Sequence, residues 1–296
     1  MAVVPGNLDL VAASQPPRKR GAVATYIRRH PAVAIGGGLL GLMLAIAVFA
    51  PWLGTVDPTA LAPAHRLRWP SAEYWFGSDM LGRDIYSRTI YGARVSLAVG
   101  FSVALFATGL GLAIGLVTGF NRWVDAIIMR VMDGLMAIPG VLIAIALMAL
   151  TRASMSNVIF AITVAEVPRV TRLVRSVVLT LRDQPFVEAA IASGTTQIRI
   201  MWRHIVPNTL ATLLVQGTYI CASAMITEAI LSFLGAGTPP QIPSWGNIMA
   251  EGRSLFQVAY YIVLFPGIML SLTVLAMNLL GDGLRDALDP RLARRL

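Results

Sequence analysis

Six apolar stretches of membrane-crossing length dominate this chain, and they exclude most ways in which 296 residues can fold. They run from about Ala32 to Leu53, Val95 to Phe120, Ile127 to Leu150, Met155 to Val178, Leu210 to Leu234 and Val258 to Leu280. About 20 helical residues cross the hydrocarbon core of a bilayer, and an apolar run of about 18 or more reads as a span. Hydrophobic residues make up 56% of the chain and charged ones only 13%, against about 25% charged in soluble domains. The runs lack the sustained alternation of barrel strands. The expected fold class is therefore an all-α membrane protein with six transmembrane helices. The fourth run is the least apolar, because Glu166, Pro168, Arg169, Arg172 and Arg175 interrupt it.

The net charge of +9 sits at the ends of these runs. Arg18, Lys19 and Arg20 precede the first run, and Arg291, Arg294 and Arg295 follow the last. Arg122 and the Arg169–Arg203 region fall on the same side if every run crosses. Positive residues mark the cytoplasmic side, so both termini are expected there. Residues 54–92, 151–156 and 236–256 then face outward. Arg66, Arg68, Arg83 and Arg88 depart from that pattern, and residues 54–92 are expected to form a small ordered cap. Within it Gly77, Asp79, Gly82, Arg83 and Asp84 predict turns followed by a helix start. No aromatic-interleaved basic patch supports a nucleic-acid partner; membrane lipid accounts for the basic residues better. The first run is too long for a secretory signal, whose apolar part spans about 7–15 residues, and is read as a retained anchor.

Several chemistries are excluded by what the chain lacks. A phosphate-binding loop of the GxxxxGK[ST] type needs a lysine, and the only one, Lys19, is followed by Arg20. His30, His65 and His204 have no metal-ligand spacing. The single cysteine, Cys221, lies in an apolar run and reads as a buried small hydrophobe. No catalytic residue, metal site or cofactor site is expected.

The polar interruption at residues 188–207, EAAIASGTTQIRIMWRHIVP, is the candidate functional segment. Pro185 suits the first turn of a helix, Glu188 favours its positive end, and Ala189 and Ala190 are strong helix formers with side chains small enough to fit a groove. Gly194 is placed to end that helix in the left-handed conformation. Gln197–His204 predicts a second short helix with an apolar stripe of Ile198, Met201 and Ile205, and Pro207 with Asn208 punctuates the start of the fifth run. A surface-lying amphipathic loop fits the same residues.

These residues resemble a known signature. Glu188-Ala189-Ala190, three residues, Gly194, and Pro207 thirteen residues later are similar to the EAA loop of bacterial ABC importer permeases, with His204 and Val206 in place of the common Ile and Leu. The Arg203–Asn208 form RHIVPN resembles the dipeptide/oligopeptide/nickel branch. FGSDMLGRDIYSRTIYGARVSL (Phe76–Leu97), MRVMDGLMAIP (Met129–Pro139), SFLGAGTPPQIPSWGNIM (Ser232–Met249) and GDGLRDALDPRL (Gly281–Leu292) resemble the same branch, in the order of its dipeptide-type "C" permease. The resemblance implies a cytoplasmic tail (1–30), a first helix with its outer loop (31–92), a five-helix core (93–283) with a coupling loop (181–207), and a cytoplasmic tail (284–296). It implies a bacterial inner-membrane permease that forms half of a pathway for di- or oligopeptides. The implied partners are a homologous permease subunit, two ABC ATPase subunits that hold ATP and Mg, and an extracytoplasmic solute-binding protein. Nickel chelate, haem or glutathione are alternative cargoes, and an ATP-independent secondary transporter or channel is the alternative of another class.

Charged residues inside spans are the candidates for the pathway or its gate. Arg130 and Asp133, three apart on one helix face, are expected to pair with each other or to act in gating, with Pro139 kinking the same helix. Glu228 is expected to line the path for a cationic amine, to cap the neighbouring loop, or to pair with Arg94. Arg169, Arg172 and Arg175 read as anchors to anionic lipid or as ATPase contacts. Gln216 and Asn278 read as helix–helix hydrogen-bonding groups, and Gly100, Gly109, Gly111, Gly115 and Gly119 as sites of close helix approach.

Overall fold

The computed structural model describes residues 31–288. The expected tail 1–30 lies outside the described residues, as does the end of the tail 284–296. Ten helices follow one another among the described residues: α1 (Pro31–Phe49), α2 (Ile85–Phe120), α3 (Arg122–Met136), α4 (Gly140–Leu150), α5 (Met155–Arg182), α6 (Pro185–Ala192), α7 (Gln197–Ile200), α8 (Val206–Phe233), α9 (Trp245–Gly252) and α10 (Tyr261–Leu288). No strand is present among these residues.

Local chemistry sets many of the boundaries. Asp84, Asn121, Ser154 and Ser244 each accept a backbone N–H of the first turn of α2, α3, α5 and α9, which satisfies donors that have no partner within the helix. Gly77 and Gly82 take positive φ just before α2, as the turn signals there predict.

Four helices are long and apolar enough to cross a membrane: Pro31–Trp52, Ile85–Phe120, Gln197–Phe233 and Tyr261–Leu288. The third run differs from the single span expected. It divides into α3 and α4, bent by 91°. Pro139 has no N–H to extend α3 and disfavours helical geometry at Ile138, so α4 starts afresh after it. Counted as one broken span, the pair makes five. Helix α5 has the length, at 28 residues, but its charges keep it out of that set.

The polar α5 is nevertheless a central element. Val158, Ala161, Ile162, Val170, Val174 and Val178 are buried in the main core. Gly111, Gly115 and Gly119 of α2 face Val170, Val174 and Val178. A Cβ on each glycine would lie 2.5, 2.6 and 2.5 Å from valine side-chain atoms. Three glycines four residues apart thus form a groove that takes three valines of the same spacing. Gly100 likewise admits Met225 and Cys221 of α8, whereas Gly109 faces open space. Cys221 is buried, as expected. Helix α1 packs against α10, where Gly36 approaches the Leu280 backbone and Gly283 the Val33 backbone.

Overpacking a helix contact of this kind costs about 1–3 kcal/mol. Gly115→Ala is therefore expected to lower the thermal unfolding midpoint of the detergent-solubilised protein, and Gly109→Ala to leave it unchanged. Adding Val174→Ala to Gly115→Ala should restore it.

Candidate functional site

The EAA segment folds as an elbow between two core helices. Pro185 occupies the first turn of α6, Glu188 lies in that turn, and Gln184 precedes it in extended geometry. The helix ends where Gly194 takes φ +75°. Gly194 N donates to Ile191 O (2.9 Å) and Thr195 N to Ala190 O (3.0 Å), the paired bonds of a Schellman cap. Nothing crowds Gly194 within 4 Å, so backbone conformation alone calls for glycine there. Glu188, Ala189, Gly194 and Pro207 are exposed, and Ala190 and His204 are half-buried. The ring centroids of Phe186 and His204 lie 6.0 Å apart and tie the two arms together.

The second arm departs from expectation. Only Gln197–Ile200 is α-helical; Met201–Ile205 widens into a π-helical turn and runs on into α8 without a break. Pro207 does not interrupt this helix. It lacks the N–H that a preceding carbonyl requires, and polar side chains compensate nearby. Asn208 Nδ2 donates to His204 O (2.6 Å) and Thr209 Oγ1 to Ile205 O (2.9 Å). The expected stripe of Ile198, Met201 and Ile205 is split. Ile205 is fully buried, but Ile198 is 71% exposed because the extra residue in the turn changes the helix phase. Val187 and Ile200 anchor the elbow to the core. Phe186, Ile191, Ile198 and Trp202 (67% exposed) leave apolar surface on it uncovered. Such a patch marks a surface for a protein partner or for lipid.

Residues 107–294 match the family described as binding-protein-dependent transport system inner membrane component. The chain belongs to this family. It is 51% identical over 284 residues, 96% of this chain and 97% of the other, to the probable peptide ABC transporter permease protein y4tQ of Sinorhizobium fredii. It is 42% identical over 267 residues to the dipeptide transport system permease protein DppC of Alkalihalophilus pseudofirmus, covering 90% and 88% of the two chains. A glutathione transport system permease protein, GsiD of Pectobacterium atrosepticum, is 42% identical over 269 residues, covering 90% and 89%. The fold also matches an inward facing structure of the MetNI methionine ABC transporter, with TM-score 0.56, 19% identity, and coverage of 69% of this chain and 98% of that one. At that identity the likeness establishes the fold alone.

In this transport-family chain the charged residues predicted from sequence find other partners. Asp133 pairs with Arg172 of α5 (2.5 Å), not with Arg130. Arg175 holds Asp125 of α3 through both carboxylate oxygens, one of them at 2.6 Å. Arg169 pairs with Glu166 (3.2 Å). The arginines read as lipid anchors are thus engaged within the chain.

Glu228 is 0% exposed. Its Oε1 accepts from Ser232 (2.9 Å), Ser244 (2.8 Å) and Thr238 (3.4 Å). These hydrogen bonds are those of a loop cap, and Arg94 is not its partner, donating instead to Ala47 O and Val48 O at the end of α1. Since Ser244 is also the N-cap of α9, Glu228 pins the start of that short helix. The other end of α9 is held by ion pairs missed in the sequence. Glu251 accepts from Arg83 (2.5 Å) and Arg88 (3.1 Å), and Arg83 also bonds Asp79 (2.5 Å). Two cations and two anions balance, which is what allows the fully buried Arg88 to remain charged. Burial pushes the Glu251 carboxyl up from the usual range, while Arg88 and Arg83 pull it down.

Removing one partner from such a buried network costs about 1–3 kcal/mol. Glu228→Ala should lower the unfolding midpoint and make residues 236–244 more sensitive to protease. Asp133→Asn, which breaks an exposed pair worth about 0–1 kcal/mol, should change neither.

Proposed function

We propose that this chain is the transmembrane permease subunit of an ATP-driven importer in a bacterial inner membrane, and that it forms half of a pathway for di- or oligopeptides. The observation that carries the reading is the exposed, apolar, rigidly capped elbow joined at both ends to core helices. A surface patch on α6 and the second arm can be pushed as one piece, and α5 and α8 carry the displacement into the membrane. Relatives described as peptide and dipeptide permeases support the cargo class. A relative described as a glutathione permease supports a second reading, in which the cargo is a small peptide thiol.

In this reading the broken pair α3–α4 is one span and α5 another, which makes six crossings with both termini in the cytoplasm. A homologous permease completes the path. Two ABC ATPase subunits, which bind ATP and Mg, dock on residues 185–207, and a solute-binding protein delivers cargo to the outer face. ATP binding closes the ATPases and swings the elbow. Glu188 contributes to the docking surface, and Gly194 keeps the turn in the only geometry that presents it.

Reconstitution with partner subunits and binding protein tests this. A β-branched residue in the left-handed conformation costs about 1–2 kcal/mol, so Gly194→Val should cut binding-protein-stimulated ATP hydrolysis about tenfold with assembly retained. Exposed Trp202 is placed as an interface anchor, and Trp202→Ala should weaken ATPase-subunit binding by about 2 kcal/mol or more. Normal ATP-driven uptake in both variants would reject the assigned role.

A further inference from the structure

Helix α8 carries Thr212, Gln216, Tyr219, Ser223 and Thr227, separated by four, three, four and four residues. At about 100° per residue all five fall within an arc of about 80°. Each is half-buried. The apolar side chains Leu213, Ile220, Ala224 and Leu231 point into the core on another face, and exposed Leu210 and Leu214 lie roughly opposite the polar arc. The polar face runs for about 22 Å at 1.5 Å per residue, most of the thickness of a hydrocarbon core. Hydroxyls and amides facing lipid would have no partners. This face is built for water or for a polar occupant.

Two further observations point the same way. A cavity of about 450 Å³ lies against the stripe, lined by Thr212, Gln216 and Tyr219 together with Leu173 of α5 and Arg285 of α10. Two carboxylates beside the stripe already have partners. Ser223 donates to Glu166 (3.1 Å), whose other oxygen accepts from Arg169 (3.2 Å), and the Tyr219 hydroxyl donates to Asp282. The hydroxyls of Thr212 and Thr227 and the amide of Gln216 have no such side-chain partner among the described residues. The stripe's own unspent capacity is therefore neutral hydrogen bonding, in both senses, and Arg285 adds one guanidinium to the cavity wall.

We propose that this face of α8 is the chain's own wall of the translocation path, and that the adjoining cavity is a passing site for a solute rich in amide N–H and C=O groups. The inference rests on the importer reading, and it moves the path away from Glu228, which faces the core on α8. Neutral donors and acceptors at every turn let such a solute exchange one set of hydrogen bonds for the next.

Substituted-cysteine labelling tests the wall directly, since Cys221 is the only native cysteine. In a Cys221→Ala background, single cysteines replace Thr212, Gln216 or Ser223, and Leu210 or Leu214 as controls. The assembled transporter in proteoliposomes is treated with a membrane-impermeant methanethiosulfonate. The three stripe positions are expected to react at least about tenfold faster than the controls. Equal rates on the two faces would overturn the proposal, because the stripe would then be sealed by a partner helix or by lipid. A second arm measures cargo uptake per ATP hydrolysed. Gln216→Leu with Ser223→Val should lower it several-fold, and an unchanged ratio would equally overturn the wall. Uptake that needs no ATPase subunit would defeat the importer reading instead, and the labelling pattern would still decide which face meets water.

Discussion

Contact between the glycine groove of α2 and the valine ridge of α5 is the constraint on which the rest depends. In a bilayer, lipid tails are as apolar as side chains, so burial does not drive helices together; close packing does. Gly111, Gly115 and Gly119 let the α5 backbone approach until Val170, Val174 and Val178 fill the space that side chains on α2 would occupy. Dispersion contacts are individually small and collectively large, and this seam concentrates them. It is also what permits α5 to be polar. A helix carrying Glu166, Arg169, Arg172 and Arg175 is a poor span by itself, but one edge of it is locked to α2, and its charges turn to other partners. Arg172 and Arg175 reach α3, none of whose residues is buried. The less exposed Arg175–Asp125 pair therefore helps fix α3, beside its partial packing through Met132.

The two ends of the molecule are built on different principles. At one end, α9 is fastened through buried polar groups on either side, Glu228 with three hydroxyls and Glu251 with two guanidiniums. Buried polar networks tolerate little rearrangement, because every broken bond leaves a group unpaired in a low-dielectric interior. The elbow at the other end is fastened by few buried side chains and by continuity with α5 and α8. Its internal geometry is fixed by the Schellman cap, and its outer surface is left apolar. A rigid part on a lightly tied mount can shift as a unit, and a pinned part cannot.

Features set by neighbours in sequence were legible, and those set by neighbours in space were not. The left-handed Gly194, Pro185 in a first helical turn, and the Asp84 helix start depend on a few adjacent residues, and the sequence predicts each. Pro139 announces a break but not its angle, which depends on how α4 packs against α5. Asp133 shows the limit of spacing rules. Arg130 stands three residues away on the same helix, yet Arg172 from another helix reaches it at 2.5 Å. Glu228 was recognisable as a costly group, and one of its partners is a helical neighbour, Ser232. Thr238 and Ser244 come from the following loop, whose path only the fold supplies. The short helix α9 was legible only as a serine followed by a brief apolar stretch, too little to separate it from an outer loop. Gln216 was read with Asn278 as a helix–helix hydrogen-bonding group, without the four hydroxyl-bearing residues that share its face.

The π turn at Met201–Ile205 then acquires a geometric role. In an unbroken α-helix Ile198 and Gln216, eighteen residues apart, would stand five full turns from one another on the same line. One extra residue in the turn rotates the two segments by about 100° relative to each other. The exposed apolar side of the elbow is thereby turned out of line with the polar stripe of α8, although both belong to one continuous helix. Pro207 favours that widened turn because it withholds the N–H that a regular turn would use, and Asn208 and Thr209 bond carbonyls that precede it. Two surfaces with opposite demands, one apolar and one hydrogen-bonding, are thus carried on the same rod without facing the same neighbour.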